Sequence, residues 1–117
     1  MRIMDNTINN KSFSFAVRIV KLCRFLKEEK KENVMSRQLL RAGTSIGANV
    51  AEAKHAQSRP DFLSKLNIAL KEATETDYWL RLLHDTDYLT DKQFHSIYGD
   101  CDEIESILVS IVKTIKE

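Results

Sequence analysis

From Thr90 to Lys116 the chain reads TDKQFHSIYGDCDEIESILVSIVKTIK, and the spacing of its apolar residues decides the fold. Phe94, Ile97, Cys101, Ile104, Leu108, Ile111 and Ile115 recur at alternating steps of three and four. That period lays them along one face of an α-helix, whereas a half-buried strand would alternate by two. Thr90 followed by Gln93 forms a capping box, in which each side chain bonds the other residue's backbone N–H. A helix over 91–116 follows.

The same period runs upstream. Phe62, Leu66, Ala69, Ala73, Thr76, Leu80 and Leu83 make a second seam, with Pro60 in its opening turn and Ser58 as its cap. Met35, Leu39, Ala42, Ile46, Asn49 and Ala53 make a third, and Phe15, Ile19, Leu22 and Leu26 a fourth. The hydrophilic runs 28–33 and 85–90 are the connections. Helices over about 11–30, 34–57, 60–86 and 91–116 are therefore expected. Only three glycines and one proline interrupt 117 residues, so each helix runs long, roughly 30 Å at 1.5 Å per residue. Four such rods with short links predict an all-α, up-down-up-down four-helix bundle, a single domain over 1–117.

Composition agrees, with 43% hydrophobic and 30% charged residues, a globular balance. No apolar run approaches the roughly 18 residues that cross a bilayer, so no membrane partner is expected. Residues 1–7 lack the apolar stretch and cleavage site of a signal peptide, which points to the cytoplasm. Cys23 and Cys101 fall on apolar helical faces, where a free cysteine behaves as a small hydrophobe.

The first helix is apolar beyond its seam. Phe13, Val17 and Val20, with Ala16 and Cys23, leave only a strip of Ser14, Arg18, Lys21 and Arg24 polar. A helix apolar on most sides is buried on most sides, and a bundle covers one side only. Phe13, Val17 and Val20 are thus the expected subunit interface. Charge is split as well: residues 1–59 carry twelve Lys/Arg against five Asp/Glu, and residues 60–117 carry six against twelve. Either basic helices pair with acidic ones inside a subunit, or the basic side of one copy docks on the acidic side of the next. The second arrangement is head-to-tail and closes into a ring where the rotation permits. The wide apolar surface of the first helix favours it.

The second helix holds an unusual segment, RAGTSIGANVAEA over 41–53. Gly43 and Gly47 share a face, and each costs about 0.8–1.0 kcal/mol relative to alanine in a helix interior, which close approach of another backbone would explain. Asn49 stands at a seam position with Glu52 one turn on, and Glu75 shares a side of the third helix with Ile68, Trp79 and Leu82. An enclosed carboxylate needs hydrogen-bond partners, for which Thr44, Ser45, Asn49 and Arg41 are candidates. Arg41, Ser45, Asn49, Glu52 and Glu75 are expected to form a structural polar network holding helices two and three in register.

Ser45-Ile46-Gly47-Ala48-Asn49-Val50-Ala51-Glu52 resembles the Ser-Ile-x-x-Asn-Ile-Ala-Glu signature of a bacterial four-helix-bundle family. Its members are encoded in intervening sequences of large-subunit ribosomal RNA genes. Arg41, Ser58, Phe62, Ile68-Ala69-Leu70, Glu75 and Tyr78-Trp79-Leu80 fit the same pattern. The family carries glycine after the Ala-Glu pair, whereas Ala53 stands here, so helix two is expected to continue towards Ala56. The resemblance implies a four-helix bundle, a ring-shaped homo-oligomer of five subunits and no established activity. The family is similar to the accessory variability protein of diversity-generating retroelements, a basic oligomeric bundle that binds nucleic acid and a reverse transcriptase.

Two function classes compete. The first is a non-catalytic assembly with RNA or DNA as candidate partner. Arg2, Lys11, Arg18, Lys21, Arg24, Lys27, Lys30 and Lys31 put a basic strip on and around the first helix, and Arg18, Lys21, Arg24 and Lys27 are the candidate nucleic-acid contacts. The net charge of only +1 argues the other way, since nucleic-acid domains are usually more basic. The second class is a metal-dependent bundle enzyme. Glu52 and His55 form one Glu-x-x-His pair, but a di-iron bundle needs two such pairs plus two further Glu, and Arg81 and Lys92 stand three before His84 and His95. No Gly-rich phosphate loop or Ser/His/Asp order is present, and an apolar setting raises a thiol's pKa. The expectation is a non-enzyme with no catalytic residues, metal or cofactor.

Overall fold

The computed structural model describes residues 6–116 and contains four helices: α1 over Asn6–Glu28, α2 over Met35–Ala53, α3 over Arg59–Asp85 and α4 over Asp91–Lys116. Each helix packs on its neighbours in chain order, and α4 closes back on α1. The pairings are antiparallel throughout. Gly43 and Gly47 of α2 face Ile19 and Ser12 of α1, Arg41 faces Glu72, Tyr98 faces Asp77, and Lys11 faces Glu103. The result is the up-down-up-down bundle, drawn out to 44 × 20 × 19 Å.

Local chemistry sets the helix ends. Thr90 and Gln93 bond each other's backbone N–H at 3.1 and 2.9 Å, and Ser58 Oγ accepts from Asp61 N at 3.1 Å. The start of α2 uses a cap the periodicity does not reveal. The Glu32 carboxylate accepts from the backbone N–H of Ser36 at 2.7 Å, Met35 at 3.1 Å and Val34 at 3.2 Å. Burial pushes its pKa up, but these donors outweigh burial and hold it below the usual carboxylate range. A negative group there also suits the positive end of the helix dipole. Lys31, just before it, takes a left-handed φ of 56° to bring the chain round.

Two boundaries differ from expectation. The first helix starts at Asn6 rather than near residue 11, because Ile8 and Ser12 are buried and extend the seam by two turns. The second helix ends at Ala53 and does not run to Ala56. His55 N bonds Glu52 O and Ala56 N bonds Ala53 O, both at 3.1 Å, so the backbone tightens to three-residue spacing and turns. Arg2 and the rest of residues 1–5, with Glu117, lie outside the described residues.

The core is continuous from Ile8 and Phe15 on α1 to Leu108 and Ile115 on α4. Its seams drift by one position from the strict alternation of three and four. Cys23 is buried in place of Leu22, Val50 in place of Asn49, and Val112 in place of Ile111. A straight helix has 3.6 residues per turn, so its buried face slides round relative to a 3.5 repeat. The glycines of α2 permit close packing. A Cβ at Gly43 would lie 2.8 Å from Ile19 Cγ1, and one at Gly47 would lie 3.2 Å from the Ser12 carbonyl oxygen. Among the described residues, no helix is long and apolar enough to cross a membrane.

Candidate functional site

The conspicuous polar cluster bridges α2 and α3. Arg41 Nη1 donates to Glu72 Oε2 at 2.9 Å, and Arg41 Nη2 is ion-paired with Glu75. Trp79 Nε1 donates to the same Glu75 oxygen at 3.0 Å. Glu72 is buried, Glu75 half-buried, and one guanidinium serves both. A planar fork holds donors on two separate nitrogens at fixed spacing, which suits two carboxylates better than a lysine's compact ammonium does.

Of the five residues expected in this network, the structure brings Arg41 and Glu75 together and leaves three out. Ser45 Oγ donates to Arg41 O at 2.6 Å and Asn49 Nδ2 to Ser45 O at 2.8 Å. Both therefore return to the α2 backbone one turn back, a habit of short polar side chains in helices. Glu52 is exposed and pairs instead with Lys65 of α3 at 3.0 Å. Glu72 is the member the sequence pattern hides. It lies three residues before Glu75, on the same face of α3. Glu52 and His55 make no shared site, since His55 lies in the exposed turn beyond the end of α2. Among the described residues, no group of three or more His, Cys, Asp or Glu is placed to hold a metal ion.

A second feature is the outer face of α1. Phe13 is 71% exposed, Val17 39% and Val20 38%, so the bundle covers none of the three fully. Leu40 of α2 extends this apolar surface. The four basic residues singled out on α1 divide. Arg18 is tied to α4, donating to Ser96 O at 3.2 Å and Ser96 Oγ at 2.8 Å and pairing with Asp100. Lys21, Arg24 and Lys27 form no ion pair among the described residues. Arg24, Lys27 and Arg37 line a groove of about 580 Å³ between α1 and α2, with Val20 and Leu40 as its apolar part.

The thiols are poor nucleophiles. Both cysteines are buried and free. Burial, then the Glu32 charge, pushes the Cys23 thiol up to about 12. Burial, reinforced by Glu105 and Asp77, raises Cys101 as well. A third cluster joins α3 to α4: Asp77 accepts from Arg81 Nε at 2.8 Å and from Tyr98 Oη at 3.1 Å. Burial first, and then the neighbouring Asp77 carboxylate, pushes Glu105 up to about 7.

A family model described as 23S rRNA-intervening sequence protein matches residues 4–110. The chain is also similar to a crystal structure from Bacteroides thetaiotaomicron VPI-5482, a protein of unknown function from the S23 ribosomal protein family. The two share 60% sequence identity over 92% of this chain and 96% of that one, with a TM-score of 0.91. No curated protein matches.

Proposed function

We propose, from the premise that this chain belongs to the 23S rRNA-intervening sequence protein family, that it is a non-catalytic cytoplasmic subunit that assembles with copies of itself. The observation that carries this reading is the row Phe13, Val17 and Val20. The bundle completes its own core without them, yet leaves them in solvent on one continuous helix face. Apolar surface grouped in this way marks an interaction site. A closed ring is what the family resemblance implies, and it would let the α1 row of one copy meet a different face of the next. The family resemblance implies five subunits. The buried, raised thiols and the pairing of Glu72 and Glu75 with Arg41 support a non-catalytic role.

Light scattering at micromolar chain concentration should give a particle larger than a dimer. Val17→Asp should reduce it to a monomer, since the interface would then enclose an unpaired carboxylate. A monomeric wild-type mass would end this reading.

Lys21, Arg24, Lys27 and Arg37 favour nucleic acid as a partner of the assembly, because none has an ion-pair partner among the described residues. Fluorescence anisotropy with a labelled RNA should show binding that weakens steeply between about 50 and 200 mM salt. No binding at the lower salt would rule RNA out; repeating the titration with labelled DNA tests the other candidate.

A further inference from the structure

We infer that the cleft between the carboxy-terminal half of α1 and the first turns of α4 binds a small phosphate monoester with an apolar or aromatic body. The site lies on the α4 side of α1 and uses none of Phe13, Val17 and Val20, so it goes beyond the self-association reading.

Ion pairs tie α1 to α4 in rungs along their antiparallel seam. Lys11 pairs with Glu103 at 2.8 Å. Arg18, two turns on, pairs with Asp100 and also donates to the carbonyl and hydroxyl of Ser96. The next rung breaks the pattern. There α1 presents Lys21 and α4 presents Lys92, so a cation stands on each wall and no acid lines the cleft. Among the described residues neither lysine forms an ion pair. The acids that flank them along the two helices are committed elsewhere. Asp100 holds Arg18, Asp91 holds His84 at 2.7 Å, and Glu28 lines the groove on the α2 side with Arg24, Lys27 and Arg37. Glu29 follows the end of α1 and does not line the cleft.

The other polar groups of the cleft have hydrogens left to give. Gln93 Oε1 already accepts from Thr90 N at 2.9 Å, which leaves its NH2. Ser96 Oγ already accepts from Arg18 Nη2 at 2.8 Å, which leaves its O–H. Two ammonium groups, an amide NH2 and a hydroxyl thus line one cleft with no carboxylate among them. Two uncompensated positive charges match a dianion. A phosphate monoester carries about −1.5 to −2 at neutral pH and offers three acceptor oxygens, whereas a carboxylate would leave one lysine unmet.

The rest of the lining is apolar: Ile97 is buried, and Leu22 and Phe25 are partly buried against the core. The cleft holds about 440 Å³, the size of a small-molecule site. The bridge from Arg18 to Ser96 and Asp100 crosses the seam and stops the cleft at one end. Past that bridge the seam is lined by Lys11 together with Asp100 and Glu103. A continuous nucleic-acid strand would run its phosphates into these acids. One phosphate on a compact apolar body stays within the cleft.

The test titrates the isotope-labelled full chain with 1-naphthyl phosphate and follows its amide NMR signals. Saturable shifts at sub-millimolar ligand are expected, centred on Lys21, Phe25, Gln93 and Ile97. Both lysines are exposed, so Lys21→Glu and Lys92→Glu keep the fold, as circular dichroism checks. Each should weaken binding about tenfold or more, the loss of a charge-assisted hydrogen bond. Lys113→Glu, the same charge change at the far end of α4, should leave binding unaltered. Inorganic phosphate and 1-naphthol supply the charge and the body alone, and each should bind more weakly than the ester. Absence of saturable shifts, shifts centred outside the cleft, or equal loss in all three variants would overturn this inference, as would inorganic phosphate binding as tightly as the ester. A labelled RNA whose affinity falls with Lys92→Glu, while the ester does not bind, would give the cleft to nucleic acid instead.

Discussion

The three glycines permit a sharp test of how α1 packs on α2. Replacing a helix-interior glycine by alanine gains about 0.8–1.0 kcal/mol of propensity wherever the new methyl meets nothing. Gly99→Ala satisfies that condition within the subunit, since no atom lies within 4 Å of the new Cβ. Gly43→Ala does not. Its Cβ would sit 2.8 and 2.9 Å from Cγ1 and Cγ2 of Ile19, a stiff β-branched side chain with no solvent exposure. Forcing a methyl into a packed core typically costs about 1–3 kcal/mol, which cancels or exceeds the propensity gain.

Gly43→Ala should therefore be neutral or destabilising by up to about 2 kcal/mol. It should lie about 1–3 kcal/mol below Gly99→Ala. For a chain of this length, each kcal/mol moves the melting temperature by roughly 3–5 °C. Both variants belong in the Val17→Asp background, where mass action from assembly does not enter the melting temperature. Calorimetry and urea unfolding are the assays. If Gly43→Ala raises stability as much as Gly99→Ala, Ile19 yields without cost and the close α1–α2 approach is not what the glycine is for.

Glu105 gives the pH dependence. Its folded pKa, about 7, lies above the ordinary value of 4.5, so folding favours the protonated form. The stability it contributes is fully present below about pH 4.5 and is lost as pH rises through about 7. Glu32 has the opposite sign: lowered by its backbone donors, it contributes stability above the ordinary value that is lost as the pH falls. Melting should be highest in the mildly acidic range, and Glu105→Gln should flatten the fall towards pH 8. An unchanged slope in that variant would remove Glu105 as the cause. Arg41→Met should lower stability by about 1–2 kcal/mol in urea, because Glu72 and Glu75 would share a half-buried site with no cation. An unchanged urea midpoint would mean the fork contributes nothing. Elemental analysis should find no stoichiometric iron, manganese or zinc; about two metals per chain, lost with His55→Ala, would establish the enzyme class instead.

The fold was legible because it depends on period and caps, and both are local. Thr90 with Gln93 and Ser58 ahead of Pro60 mark two helix starts by residue type alone. The start of α2 was not legible, because Glu32 caps from the loop with a long side chain that no short capping pattern describes. The end of α2 is not legible, because the alanines at 53 and 56 favour helix and carry no stop signal. What stops it at Ala53 is the need to turn and meet the cap of α3, a constraint from beyond the helix.

The polar network shows why sites are harder than folds. Asn49 and Ser45 were candidates by their position near the seam, yet a helix always offers them a carbonyl one turn back, at 2.8 and 2.6 Å here. A partner across the interface has to be nearer, and better charged, than that standing alternative. Arg41 has the reach: its long stem carries the guanidinium past the carbonyls of its own helix, so it crosses to Glu72 and Glu75. Whether a polar side chain bridges two helices thus depends on what its own helix already offers it. For Ser, Thr and Asn the backbone is the default partner; for Arg it is not. Gly99 extends the same reasoning to open space: nothing lies near its missing Cβ, while Gly43 and Gly47 are closely packed, a difference that only the tertiary structure reveals.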